Sequence, residues 1–167
     1  CSPCSAWGDR MPELPEVEAV RRGLDARIAG RCLMEVQVRE PRLRRPVPPL
    51  EPWIGRRLLR VERRGKYLLW RFAEGTLLVH LGMSGRLGFV APDVPPGRHD
   101  HVDFLFEGSL LRYTDPRRFG LILPLDAAAE RALEVRLGLE PWDARLTPAF
   151  ARSRVQGRRR AIKEVLL

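Results

Sequence analysis

Between residues 33 and 123 the chain is cut into short runs of β-forming residues, broken by stretches that contain turn residues such as Gly, Pro, Asp and Glu. The runs are 33–39, 58–63, 67–72, 76–81, 86–90, 101–106, 109–114 and 119–123. Short strands in this number bury their apolar faces by pairing into a sandwich or a barrel. The breaks Ala73-Glu74-Gly75 and Glu107-Gly108 are tight enough for hairpins, so most of the pairing is expected to be antiparallel. Ahead of the strands, Val17, Val20, Leu24 and Ile28 recur at helical spacing within 15–30. Glu13, Glu16 and Glu18 sit at the positive end of that helix, and Gly30 stands where a C-cap belongs. The expected fold class is α+β and mainly β, an N-terminal helix packed on an antiparallel β-sandwich of about eight strands.

The flanks differ in character. Pro- and Arg-rich 41–52 and 91–100 read as long exposed loops, and Asp126 can cap a helix through 137 that Gly138 ends. Glu140-Pro141-Trp142-Asp143 reads as a linker, followed by two basic helical stretches, 147–157 and 158–167. The last of these stops in mid-helix, so a truncated start of a helical domain is expected over 141–167. Residues 1–10 carry no periodicity and precede Met11-Pro12, which looks like the true beginning. The expected organisation is an extension over 1–10, a β-sandwich domain over 11–140, and the helical remnant.

With 30 basic against 21 acidic residues the net charge is +9 and the pI about 10.8, which favours polyanionic partners, DNA or RNA. No apolar run approaches the roughly 20 residues that span a bilayer, and the start lacks the basic-then-apolar order of a secretory signal, so a cytoplasmic location is expected. The 3 cysteines, Cys1, Cys4 and Cys32, make no disulfide framework, and Cys32 reads as a buried small hydrophobe. Of the 30 cations 28 are Arg, and the two exceptions are Lys66 and Lys163. A Lys kept in such company suits a position that needs a compact ammonium or an amine able to lose its proton, although codon chance also accounts for it.

If Met11 is removed, Pro12 becomes a secondary amine at the N-terminus, able to attack carbon and form a charged iminium. An α-amino group titrates at roughly 7.7–8.0, so part of it is unprotonated at cellular pH. The opening Met11-Pro12-Glu13-Leu14-Pro15-Glu16-Val17-Glu18, followed by Arg21-Arg22-Gly23, resembles that of the formamidopyrimidine-DNA glycosylases. Four further motifs in the same order carry the resemblance: Arg63-Arg64-Gly65-Lys66-Tyr67-Leu68-Leu69, His80-Leu81-Gly82-Met83-Ser84-Gly85, His99-Asp100-His101-Val102-Asp103, and Arg112-Tyr113-Thr114-Asp115-Pro116-Arg117-Arg118-Phe119-Gly120.

The resemblance implies a base-excision repair enzyme that removes oxidised purines, formamidopyrimidine and 8-oxoguanine, and cleaves the strand at the abasic site through a Schiff base. It implies Pro12 as the nucleophile, Glu13 as the acid/base, and Lys66 in the elimination and at a phosphate, which agrees with the Lys-among-Arg argument. Met83, Arg117 and Phe119 would fill the void left by the flipped nucleotide, a task that suits a thioether, a planar cation and an aromatic ring. His99, Arg117 and Arg158 match DNA-contacting positions. The partner is double-stranded DNA carrying oxidised purines or abasic sites, bound by a monomer without any membrane. The family's zinc belongs to a four-cysteine finger expected beyond Leu167, so no metal or other cofactor is expected in this chain. His99, His101 and Asp103 mimic a metal cluster, but strand alternation alone brings such residues together.

Ten residues precede Met11, and while they stay attached the Pro12 nitrogen is an amide and cannot attack. The alternative is therefore a catalytically inactive fragment that only binds DNA. Further readings are an endonuclease VIII-like glycosylase for oxidised pyrimidines and a basic RNA-associated structural protein, which leaves the five ordered motifs unexplained.

Overall fold

The structure, a computed structural model, describes residues 12–157. The extension 1–10, Arg158 and the helix expected over 158–167 lie outside the described residues.

Helix α1 (Leu14–Ile28) precedes strand β1 (Leu33–Val38), a single 3-10 turn (Glu51–Trp53) and seven more strands. These are β2 (Leu58–Arg64), β3 (Tyr67–Phe72), β4 (Gly75–His80), β5 (Arg86–Val90), β6 (Asp100–Phe106), β7 (Ser109–Thr114) and β8 (Leu121–Leu125). Helices α2 (Ala127–Leu137) and α3 (Pro148–Val155) follow, capped by the Asp126 and Thr147 side chains. The strands form two antiparallel four-stranded sheets, ordered β1-β6-β7-β5 and β2-β3-β4-β8. One core joins their inner faces, where Trp70 meets Phe104 edge-on with centroids 5.0 Å apart.

Strand β3 is buried on both sides, which is why its sequence lacks the apolar-polar alternation of a half-exposed strand. Leu68, Trp70 and Phe72 face the sandwich, whereas Leu69 joins Leu78, Leu121 and Leu133 of α2 in a second cluster. On the open edge of that sheet, β2 leaves backbone groups for α1 to satisfy. Val61 N–H donates to the Asp25 carboxylate at 2.7 Å, and Arg21 donates to the Val61 carbonyl at 3.3 Å.

Three expectations need correction. The 41–52 segment is no mere surface loop: Leu43, Val47 and Leu50 are buried in the core, hidden from a periodicity reading because prolines and arginines interrupt any regular spacing. The last strand begins at Leu121 rather than 119, since the Gly120 N–H turns inward to the Asp115 carboxylate and leaves Phe119 in the preceding loop, 42% exposed. Cys32 is half-buried, not buried, because it sits in the short bridge to Arg57 that joins the two sheets at their margin.

Trp70 fills the centre of the core, yet its indole N–H has no hydrogen-bond partner among the described residues. Trp70→Ala is expected to lower stability by about 3–5 kcal/mol in urea unfolding. Trp70→Phe is expected to lose clearly less, because it gives up packing volume but also an unsatisfied donor.

Candidate nucleic-acid interface and active site

Helix α1 runs antiparallel to β2, as three contacts along their length establish. Gly30 N–H donates to Leu58 O at 2.7 Å near the start of β2, Asp25 receives Val61 N–H in its middle, and Glu18 meets Arg63 at 3.0 Å near its end. Continuing in the same direction, half-buried Pro12 and exposed Glu13 lie toward the β2–β3 turn that carries Gly65 and Lys66. The helix start is stabilised locally, with Glu13 N–H donating to the Glu16 carboxylate at 2.8 Å.

The turn itself is fastened from two sides. Gly65 has φ +55°, a conformation open to glycine at little cost, and its N–H donates to Glu140 Oε1 at 2.6 Å. Arg63, whose side chain is 2% exposed, bridges Glu18 at 3.0 Å and Glu140 at 3.1 Å, with the Trp142 ring 4.6 Å away. Arg64 adds a second bond to Glu140 at 2.8 Å and one to the Gly138 carbonyl. The hydrogen bond from Arg21 is the main cause holding the Glu18 carboxyl down at about 2, with Arg22 and Arg63 assisting against burial. Burial pushes Glu140 up, but the Gly65 N–H, Arg64 and Arg63 together hold it below the ordinary carboxylate range. Glu140, which reads in the sequence as the start of a linker, is thus the anchor of the Lys66 turn.

Lys66 is half-buried and its charge acts on His80, the last residue of β4 and the register partner of Tyr67, whose ring lies tilted at 42° to the imidazole with centroids 4.7 Å apart. His80 Nδ1 accepts the Gly82 N–H at 3.0 Å, which leaves the ring proton on Nε2. Burial, then the positive charges of Arg44 and Lys66, push the imidazole pKa down, so His80 is a neutral donor beside two cations.

From His80 the chain enters the 81–85 loop, which lies against the 115–120 loop. Gly82 has φ +63°, and a Cβ there would stand 2.5 Å from the Phe119 carbonyl carbon. Asp115 is 0% exposed and accepts from Ser84 Oγ at 2.5 Å, the Gly120 N–H at 2.9 Å and the Tyr113 hydroxyl at 3.1 Å. Its carbonyl faces His101 Nε2 at 2.7 Å, so His101 is a structural residue of β6. Burial, reinforced by the Asp115 charge, pushes the Tyr113 phenol far above its ordinary value and keeps it a donor. On the outside of these loops Met83 is half-buried, Arg117 and Phe119 are exposed, and the Arg117 guanidinium lies 5.0 Å from the Phe119 ring centroid. His99, half-buried, accepts the Asp115 N–H on its backbone carbonyl at 3.0 Å, and Arg44 N–H donates to Gly120 O at 3.3 Å.

Of the sequence-derived residues within 12–157, Met83, Arg117 and Phe119 lie on the two loops that meet at Asp115, and His99 is bonded to Asp115. Lys66 acts on His80 at the head of the first loop, and Pro12 and Glu13 stand at the end of α1 that runs toward the Lys66 turn. Sequence reasoning did not single out Ser84, Asp115, Glu140 or His80 as site residues. Only Asp115-Pro116 carried a usable signal, that of a turn. The other three depend on partners 31 to 77 residues away or on a neighbouring loop. Among the described residues no three His, Cys, Asp or Glu side chains are grouped to hold a metal ion. Asp103 is engaged instead by Arg112 at 2.9 Å and Arg39 at 2.5 Å. No described helix is long and apolar enough to cross a membrane.

Residues 11–122 match the family model of the formamidopyrimidine-DNA glycosylase N-terminal domain. A Bordetella pertussis protein named formamidopyrimidine-DNA glycosylase is 50% identical over 163 residues, covering 94% of this chain and 59% of its own length. One of the same name from Methylococcus capsulatus is 52% identical over 161 residues, with the same coverage of 94% and 59%. The chain thus spans about three-fifths of the length of these relatives. Among solved structures, Lactococcus lactis Fpg in complex with an abasic site containing DNA superposes with a TM-score of 0.83 at 31% identity, over 93% of this chain and 59% of that one. The same organism's protein with a FAPY-dG containing DNA gives 0.82 at 31%, over 93% and 60%.

Two outcomes follow from the electrostatics. In an NMR titration His80 is expected to titrate below the ordinary 6.5. Its unfolded form takes up a proton more readily than its folded form, so its contribution to stability is lost as pH falls through that window. Glu140→Gln is expected to lower stability on the order of 3 kcal/mol in thermal or urea unfolding, because it strips the buried Arg63 of one of its two carboxylate partners.

Proposed function

The chain belongs to the formamidopyrimidine-DNA glycosylase family, and on that premise we propose that it carries the catalytic half of a DNA glycosylase and abasic-site lyase of base-excision repair. The supporting observation is the antiparallel course of α1 on β2. It brings Pro12 toward the Lys66 turn at the end of the sandwich where Met83, Arg117 and Phe119 also project.

In this reading the substrate is double-stranded DNA with an oxidised purine, formamidopyrimidine or 8-oxoguanine, or an abasic site. The two groups of residues divide the work. Met83, Arg117 and Phe119 occupy the gap left when the damaged nucleotide swings out, while His99, with Arg158 outside the described residues, holds the backbone. The Pro12 nitrogen donates its lone pair to C1′ as the C1′–N bond to the base breaks, and gives up its own proton. Its lone pair then expels O4′ from C1′, which opens the sugar and leaves a C1′=N iminium, with Glu13 supplying the proton that the departing base or O4′ requires. The resulting iminium draws electrons from C2′, so loss of a C2′ proton expels the 3′ phosphate, with Lys66 stabilising the charge on the leaving oxygen. Neutral His80 offers its Nε2–H next to Lys66, where a phosphate would accept it.

The division proposed is an extension over 1–10, a catalytic domain over 11–140, and over 141–167 the start of the family's helix–two-turn–helix domain. Zinc, which the resemblance assigns to a finger beyond Leu167, finds no donor set among the described residues, and no step above depends on it. A monomer in the cytoplasm, at the nucleoid, suits a substrate that is chromosomal DNA. A DNA-binding but inactive form is the second reading, favoured by one observation: in the 167-residue chain Pro12 follows Met11, and its nitrogen is an amide.

Borohydride trapping on a duplex with an abasic site decides between them, because reduction turns the imine into a stable covalent link. A chain beginning at Pro12 is expected to be trapped and the full 167-residue chain is not. Failure of the folded, trimmed chain to be trapped would leave only the binding reading.

A further inference from the structure

The loops 81–85 and 115–120 have no regular secondary structure of their own, yet they meet through buried polar groups and close backbone contact. Ser84 Oγ donates to Asp115 Oδ1 at 2.5 Å and at the same time accepts the Arg117 N–H at 3.1 Å, so one hydroxyl joins the two loops in both directions. Asp115 Oδ2 collects the Gly120 N–H and the Tyr113 hydroxyl, closing the far side of the 115–120 loop onto β7. A Cβ at Gly82 would meet the Phe119 and Gly120 backbone within 2.8 Å, and one at Gly120 would overlap the Tyr113 hydroxyl. Between these anchors Arg118 is held at φ +57°, the one described non-glycine residue in the left-handed region, so the turn presenting Arg117 and Phe119 is determined by its surroundings.

From this geometry we propose that Ser84 and Asp115 are positioning residues that lock the two loops into one body, so that Met83 and the Arg117–Phe119 pair enter a duplex together. Arg117 already lies over the Phe119 ring, so the wedge is assembled before DNA arrives and little ordering remains for the moment of insertion. The coupling of the loops stands on the contacts themselves, whereas joint entry into DNA rests on the function proposed above.

Two measurements on the 167-residue chain separate these parts. The first is amide hydrogen exchange of the free protein, where Ser84→Ala is expected to speed exchange at Arg117 and Gly120 at least about tenfold, because it removes one anchor of their loop. Ser84→Thr, which keeps the hydroxyl, is expected to restore the slow rate. Unchanged exchange at Arg117 and Gly120 in a folded Ser84→Ala protein would overturn the coupling.

The second is the fluorescence of 2-aminopurine placed opposite a tetrahydrofuran abasic analogue in duplex DNA, which rises when that base loses its stacking and needs no free amine at Pro12. Wild type is expected to raise it, Phe119→Ala to abolish most of the rise, and Ser84→Ala to cut it several-fold at saturating protein, with Ser84→Thr recovering it. A full rise with Ser84→Ala would show that the wedge does not depend on the lock. No rise with the bound wild-type protein would overturn insertion and with it the functional reading, while hydrogen exchange still decides the coupling.

Discussion

Everything at the Lys66 end of the sandwich hangs on how α1 lies along the open edge of β2. An edge strand presents unpaired N–H and C=O groups, and Asp25 and Arg21 satisfy both groups of Val61 with side chains instead of another strand. Two turns earlier on the helix Glu18 grips Arg63. Because these contacts fix direction as well as distance, the start of the helix has one place to go, toward the turn at Gly65 and Lys66. Apolar packing of Val17, Leu24 and Ile28 would tolerate some sliding, whereas the polar contacts would not.

Arginine serves two purposes in this chain. Part of its large share works internally: Arg63 and Arg64 converge on Glu140, Arg71 ties Glu62 of β2 to Glu130 of α2, and Arg112 is buried against Asp103. A planar guanidinium with several donors can hold two carboxylates at once, as Arg63 and Arg71 do, which a lysine ammonium on a flexible stem does less well. Burial, aided by the positive charges of Arg44 and Lys66, pushes the pKa of nearby His80 down, while many of the cations in the sum are already engaged by carboxylates. Net charge therefore overstates the surface available to a polyanion, and the distribution matters more than the sum.

Rigidity at this end does not come from the strands alone. The 81–85 and 115–120 loops carry Met83, Arg117 and Phe119, and each is held by a buried carboxylate, a shared hydroxyl and glycines that let backbones touch. A loop so fixed can present Phe119 to solvent without letting it collapse onto the core. Such a site places mobile-looking residues on an immobile frame.

Period and punctuation, which are local properties, already determine a good deal in the sequence by itself. The single helix before eight strands, the hairpins at Gly75 and Gly108, the caps at Asp126 and Gly138, and the oddity of Lys66 are all legible there. So is the family, through five motifs in order, of which Pro12, Glu13, Lys66, Met83, His99, Arg117 and Phe119 are members. Partnership across the chain was decided only in three dimensions. The burial of Leu43, Val47 and Leu50 has no period to reveal it, and the start of β8 depends on where Asp115 draws the Gly120 N–H. The roles of Ser84 and Glu140 rest on partners 31 and 75 residues away. Hydrogen bonds of that kind leave no spacing in a linear sequence, since what selects the residue is the direction of a distant backbone group once the sheets have closed.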